Sequence, residues 1–182
     1  RAALVKKFRG NPASEAALAP GLKWLKRHPF EDGGWSFDHA AHPDCGGKCS
    51  QTGAMGECRS AATGLALLAY LGGGHTSESG NYQDEVRRGL EFLRKSGKLT
   101  SSGLDLRGEL ADGHAHAAFY AQGIATIALC EAFALTKDPK LGSAAQNAAN
   151  FIMAAQDPRQ GGWRYSPGTA GAQSVVGWPV MG

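Results

Sequence analysis

AANFIMAAQDPRQGGW, residues 148–163, decides the reading of this chain, because residues 21–35 restate it as GLKWLKRHPFEDGGW. Residues 89–97, GLEFLRKSG, keep the front half and lose the tail. All three share a small residue, two variable positions, an aromatic and a branched aliphatic: Gly21-x-x-Trp24-Leu25, Gly89-x-x-Phe92-Leu93 and Ala148-x-x-Phe151-Ile152. Self-similarity at this spacing marks a repeat architecture, in which one supersecondary unit stacks on copies of itself.

The unit reads as a helical hairpin. Along Tyr82–Lys95, Tyr82, Val86, Gly89, Leu90 and Leu93 fall on one side, while Gln83, Asp84, Arg87, Arg88, Glu91, Arg94 and Lys95 mostly take the other. That is a helix with water on its back. Between such helices lie Ala61–Leu71 and Phe119–Leu135, which together carry a single charge, Glu131, and are apolar all round. Helices of that kind are buried or cross a membrane. The second includes Gln122, Gly123, Thr126 and Glu131, too polar and too short for a good span, so burial is expected. The sequence therefore predicts outer helices near 14–28, 81–96 and 139–156, and inner helices near 60–72, 115–135 and 173–182. Pro20 is expected to kink or split the first. Gly64, Gly123 and Gly177 recur at one place in the inner helices. A helix-interior glycine usually marks a closely approaching backbone.

The Gln156-x4-Gly161-x-Trp163 tail, with Phe151-Ile152 ahead of it, resembles the Gln–Trp (QW) repeat of squalene and oxidosqualene cyclases. The copy at 21–35 has Pro29 where that repeat has glutamine, and its tail is one residue shorter. The resemblance implies an all-α chain with the α/α-toroid fold shared by terpenoid cyclases and protein prenyltransferase β subunits. Residues 1–182 would form one repeat domain, about half a ring, and a fragment of a longer chain. Physically, a tryptophan after a glycine-rich turn can fold back on its helix end, and a glutamine can satisfy carbonyls left open there. Trp35, Gln156 and Trp163 are thus the structural repeat residues. Both indoles are expected to be mostly buried, with Trp163→Ala costing about 3–5 kcal/mol.

The same resemblance implies function only loosely, since one fold carries many activities. Squalene-type cyclases protonate with an Asp-x-Asp-Asp motif, and the sequence holds none. Prenyltransferase β subunits hold zinc with Asp, Cys and His from inner-helix starts, and no Asp-x-Cys pair stands at such a start. The thioester Cys-Gly-Glu-Gln of complement-type rings is also missing; Gly56-Glu57-Cys58-Arg59 only scrambles it. Three readings stay open. One is a toroid repeat domain binding an apolar, isoprenoid-like ligand or a protein partner. Another is part of a cyclase or prenyltransferase whose acid motif lies elsewhere. The third is a purely structural interaction domain. Phe119, Tyr120, Gln122 and Trp178 are the candidate ligand-binding residues, because aromatics facing a cavity can line it or stabilise a cation.

Two loops concentrate polar chemistry. Residues 101–118 supply Asp105, Asp112, His114 and His116 just before an inner helix, as candidates for acid–base work or metal binding. The alternative is a solvated, glycine-rich loop. Residues 39–59 gather Cys45, Cys49 and Cys58 with His39, His42 and Asp44. A zinc or iron site on Cys45, Cys49, Cys58 and His42 is one reading. The Cys-x3-Cys spacing across Gly46-Gly47 favours a Cys45–Cys49 disulfide with Cys58 left free, or free thiols, over a metal; a disulfide would suggest an extracytoplasmic compartment. No cofactor is then expected. Cys130 reads as a small buried hydrophobe. The 19 basic and 16 acidic residues give a net charge of +3 with no basic stripe, which argues against nucleic-acid binding. The expected partners are an apolar small molecule, the remainder of the ring, or a second copy across open repeat edges.

Overall fold

Asn11 starts the first helix, α1 (Pro12–Lys26), by a reciprocal cap: its side chain accepts the Ser14 N–H at 2.9 Å, and Ser14 Oγ accepts the Asn11 N–H at 3.0 Å. A computed structural model describes residues 11–49, 53–111 and 115–182. In it α1 runs unbroken through Pro20, so the expected split does not occur. There follow α2 (Arg59–Gly72), α3 (Gln83–Ser96), α4 (Ala115–Thr136), α5 (Pro139–Ala154) and α6 (Gln173–Met181). The protein is mostly helical. α3 has Asp84 and Glu85 in its first turn and Arg94 and Lys95 in its last, charges that complement the helix dipole. Lys137 takes a left-handed φ of 60° and its N–H closes α4 on the Phe133 carbonyl; Asp138 then caps α5 through the Lys140 N–H at 2.9 Å.

The apolar helices α2, α4 and α6 lie in a row, α4 packing on both others, while α3 covers α2 and α5 covers α4. Leu67 and Tyr70, Val86 and Leu93, Ala128 and Leu129, and Ala148 meet in one core. α4 is long and apolar enough to cross a membrane by length and composition, but most of it is buried among these neighbours. Two of the three recurrent glycines mark crossings. A Cβ on Gly64 would lie 2.9 Å from Ile124 Cγ2 on α4, and one on Gly123 would lie 2.7 Å from Trp178 Cβ on α6. Gly177 meets nothing within 4 Å.

Both glycine-rich tails fold back on their own helix. The Trp35 indole donates to the Leu25 carbonyl at 2.9 Å and the Trp163 indole to the Ile152 carbonyl at 2.7 Å. In each case the acceptor is the aliphatic residue of the repeated segment. Trp35 is buried, whereas Trp163 is only half-buried, which reduces the core-type loss expected there. Gln156 is exposed, and the carbonyl at the helix end is taken by the indole. The third copy has no tail, and its Leu93 carbonyl accepts the backbone N–H of Gly97.

One element was not expected. Lys98–Thr100 (β1) and Gly103–Asp105 (β2) form an antiparallel hairpin with Leu99 opposite Leu104, and β2 lies against α5. Gly103 permits this approach: its φ is 124°, and a Cβ would sit 2.2 Å from the Asn147 carbonyl oxygen.

Candidate functional site

The loop that leaves Trp35 and returns at Cys58 is pinned to the end of α1 by sulfur and imidazole. Successive turns fold it: the Cys45 and Gly46 N–H groups donate to the His42 carbonyl at 3.0 and 3.2 Å, and the Lys48 N–H donates to the Cys45 carbonyl at 2.9 Å. Gly46 and Gly47 hold φ of 50° and 73°, left-handed values that glycine tolerates best. This reversal turns Cys45 and Cys49 toward the same point. His28, just past the end of α1, joins them, with ligand atoms of His28, Cys45 and Cys49 all within 4.8 Å of one another. These three residues could hold a metal ion. Cys49 Sγ is 3.5 Å from His28 Nε2 and 3.3 Å from the indole Nε1 of Trp24, which donates to it.

Local hydrogen bonds fix which atoms face that point. His28 Nδ1 lies 2.6 Å from the Trp24 carbonyl and must donate to it, leaving the Nε2 lone pair toward Cys49. Carbonyl-oriented imidazoles of this kind are typical of metal ligands. His28 also stacks on Trp24 with ring centroids 3.9 Å apart. His39 and the Cys49 N–H hydrogen-bond to Cys45, whose thiol they pull down to about 6. A thiol so biased is readily a thiolate, the form that binds metals.

The expected ligand set is corrected in two places. His42 Nε2 donates to the Pro29 carbonyl at 2.8 Å while its Nδ1 accepts the Asp44 N–H at 3.2 Å, so both nitrogens are spent. Cys58 lies apart, packed with Ala61, Leu110, Ala118, Ala121 and Ile124, and burial followed by the nearby Glu57 charge pushes its thiol up. All four cysteines are free thiols, so the disulfide that the spacing favours is not formed. His28 was missed because it belongs to the repeat segment, outside the cysteine loop.

The second feature is an apolar cleft of about 340 Å³ where α2 and α4 begin, lined by Phe37, Met55, Cys58, Ala61, His116, Ala117, Tyr120 and Ile124. Phe37 and Met55 come from the two ends of the same cysteine loop. Phe37 also borders a neighbouring apolar hollow of about 240 Å³ with Trp24, Trp35, His39 and Leu65. A larger and more polar groove of about 720 Å³ lies beside Asp32, Asp44, Arg59 and Arg88. Both of its guanidinium groups already make protein contacts, although Arg59 Nε is buried without a hydrogen-bond partner. Arg59 binds Asp32 through two bonds at 2.5 and 2.7 Å between the rings of Phe30 and Phe92, and Arg88 donates to the Glu31 carbonyl at 2.8 Å.

Of the expected ligand-binding residues, Tyr120 reaches the cleft, its hydroxyl 2.9 Å from Ser174 Oγ. Phe119 is fully buried against Phe151, and Trp178 packs on Gly123. Gln122 is also fully buried and is spent on structure: Oε1 accepts the Leu106 N–H at 2.7 Å, and Nε2 donates to the Leu104 carbonyl at 3.1 Å. Thr63, one residue before Gly64 as Gln122 is before Gly123, does the same for the Trp35 N–H at 2.9 Å. Of the acid–base candidates, Asp105 is buried in a bidentate pair with Arg107 at 2.9 and 2.8 Å. His116 is exposed at the rim of the cleft, edge-on to Tyr165, and Asp112 and His114 lie outside the described residues. No protein-family model, curated protein or solved structure matches this chain.

Proposed function

We propose that the chain is a toroid-type helical-hairpin repeat domain that binds an apolar, isoprenoid-like ligand in the cleft at the starts of α2 and α4. The observation that carries this reading is the cleft itself, whose size and almost wholly apolar lining are those of a small-molecule site. Its hydroxyl, from Tyr120, already has a partner in Ser174, so little polar recognition is left for a hydrophilic ligand. Support for the toroid arrangement comes from the staggered crossings: Gly64 receives Ile124, Gly123 receives Trp178, and Gly177 stands open where a further inner helix would seat. Among the described residues the cleft is lined by apolar side chains and His116, and the reading taken from it is one of binding.

Zinc is the metal this reading places on His28, Cys45 and Cys49, since thiolate and imidazole donors together suit tetrahedral zinc. The residues fit: one imidazole is oriented by a carbonyl and one thiol is biased toward thiolate. The test of the binding reading is titration of the protein with a farnesyl-chain alcohol, followed by displacement of a hydrophobic dye. Saturable binding should be lost in Ala117→Trp, which fills the cleft from α4, with the helical circular dichroism unchanged. Binding equal in both proteins, or none in either, would overturn it.

A further inference from the structure

The three donors just described leave open whether a bound zinc would keep a free coordination position, as catalytic sites do, or be closed, as structural sites are. We infer that His39 is the fourth ligand, making a closed Cys2His2 site of His28, His39, Cys45 and Cys49. This rests on the zinc reading above.

Distances carry the inference. With Zn–S of about 2.3 Å and Zn–N of about 2.0–2.1 Å, a tetrahedral site has sulfur–nitrogen edges of about 3.5 Å. Cys49 Sγ stands 3.5 Å from His28 Nε2, and Cys45 Sγ stands 3.8 Å from His39 Nδ1. Each thiol thus already faces one imidazole at the edge length of such a tetrahedron. The two imidazole rings lie with centroids 6.0 Å apart and planes at 85°; the ligand atoms of His28, Cys45 and Cys49 are already within 4.8 Å of one another, and His39, held at Cys45, has to close on them when the metal binds. Trp24 closes one side by stacking on His28 and meeting His39 edge-on at 5.2 Å.

Among the described residues, the two other expected ligands are removed by their own contacts. His42 has both ring nitrogens engaged, and Cys58 lies in the other cluster. The chain geometry suits a staple. His28 follows the C-terminal end of α1, where the helix dipole favours a cation, while His39 and the two cysteines come from the loop. Binding would hold both sulfurs as thiolates, displacing whatever thiol protons remain, and tie residues 39–49 to α1, adding folding free energy without leaving a place for substrate or water on the metal.

Cobalt(II), whose visible spectrum reports geometry and thiolate count, tests this in the full chain. The wild type should take up one cobalt with intense tetrahedral bands and a charge-transfer band of two thiolates, unchanged by added imidazole. His39→Ala should weaken binding at least tenfold and make the spectrum respond to added imidazole, which occupies the opened position. His42→Ala should leave both unchanged. His39→Cys, which keeps a donor in place if the alanine variant folds poorly, should raise the charge-transfer band to that of three thiolates. A cobalt complex whose affinity and spectrum ignore both His39 substitutions would overturn the fourth-ligand assignment while leaving a metal site standing. Failure of the wild type to bind either cobalt or zinc would overturn the zinc reading and this inference with it.

Discussion

Replacing Trp35 separates what its ring does from what its N–H does. The residue is 3% exposed, and its ring fills the space where a Cβ on Gly89 would stand 2.8 Å from Trp35 Cζ3, joining the first hairpin to the outer helix of the second. It also lies 6.1 Å from the Tyr70 ring, centroid to centroid. Trp35→Ala therefore removes a full core aromatic and should cost about 4 kcal/mol, in the range of Trp→Ala losses in cores. Trp35→Phe keeps most of the ring and loses the bond to the Leu25 carbonyl. That carbonyl still accepts the His28 N–H at 3.1 Å, so no orphaned group is left. The loss should then be about 1–2 kcal/mol, one hydrogen bond plus a small void. Trp163→Ala, at a half-buried indole, should cost about 2 kcal/mol. Urea unfolding followed by circular dichroism, at fixed zinc concentration, measures all three. In thermal melts Trp35→Ala should fall by about 8–16 °C. If Trp35→Phe costs as much as Trp35→Ala, the indole N–H and not the packing holds the hairpins together. If Trp35→Ala costs under about 1 kcal/mol, the ring is not the joint between repeats.

Stripping metal with a chelator should lower the melting temperature and weaken apolar-ligand binding together, because Phe37 and Met55 at the loop's ends wall the cleft; a melt that shifts with unchanged ligand affinity would separate the two sites. Gln122→Leu should destabilise by about 2–4 kcal/mol through the stranded Leu106 N–H and Leu104 carbonyl. It should leave ligand affinity unaltered once the protein is folded, as a binding-competition titration would show. Burial opposes the charge on Asp32, but the Arg59 bond and the Gly34 N–H outweigh it and hold its carboxyl below the ordinary value. A depressed carboxyl stabilises above its unfolded pKa, and that contribution is lost as pH falls through the folded one. The stability gap between wild type and Asp32→Asn should therefore narrow below about pH 4 in urea titrations, and a gap constant down to pH 2.5 would deny the pair a role.

How far the fold was legible depends on which residues carry period and which carry contact. Helix positions follow from patterns in single segments, so α2 to α6 fall within a few residues of where the apolar faces put them. Gly64 and Gly123 announced crossings because a glycine inside a helix has a cost that only close packing offsets. The β1–β2 hairpin was invisible for the opposite reason. Its three-residue strands bear no period, and the Gly103 approach to Asn147 is a tertiary event. Pro20 does not split α1, which runs from Pro12 to Lys26 around it.

Of the candidate site, the cysteines were legible in the sequence, but their spacing favoured a disulfide over a metal and the histidine set against them was His42 rather than His28. Cys45 and Cys49 were marked by type and spacing, but spacing cannot say whether two thiols face each other or a third group. That choice is made by Trp24 and His28, four residues apart on one face at the end of α1, where the indole and the imidazole stack and both reach Cys49. The same pairing explains why His28 was hidden: it stands inside the repeat segment, beside Pro29, where the QW repeat that the tail resembles has glutamine. Gln122 shows the converse error. A polar residue on an apolar inner helix looks like a ligand's anchor, yet Thr63 at the matching place also holds the backbone of the chain that enters its hairpin. Polarity that recurs at one repeat position, each time spent on backbone, serves the stack. Polarity that occurs once, as in the two thiols and two imidazoles around the end of α1, is where this chain departs from its own repeat, and that departure is the better guide to function.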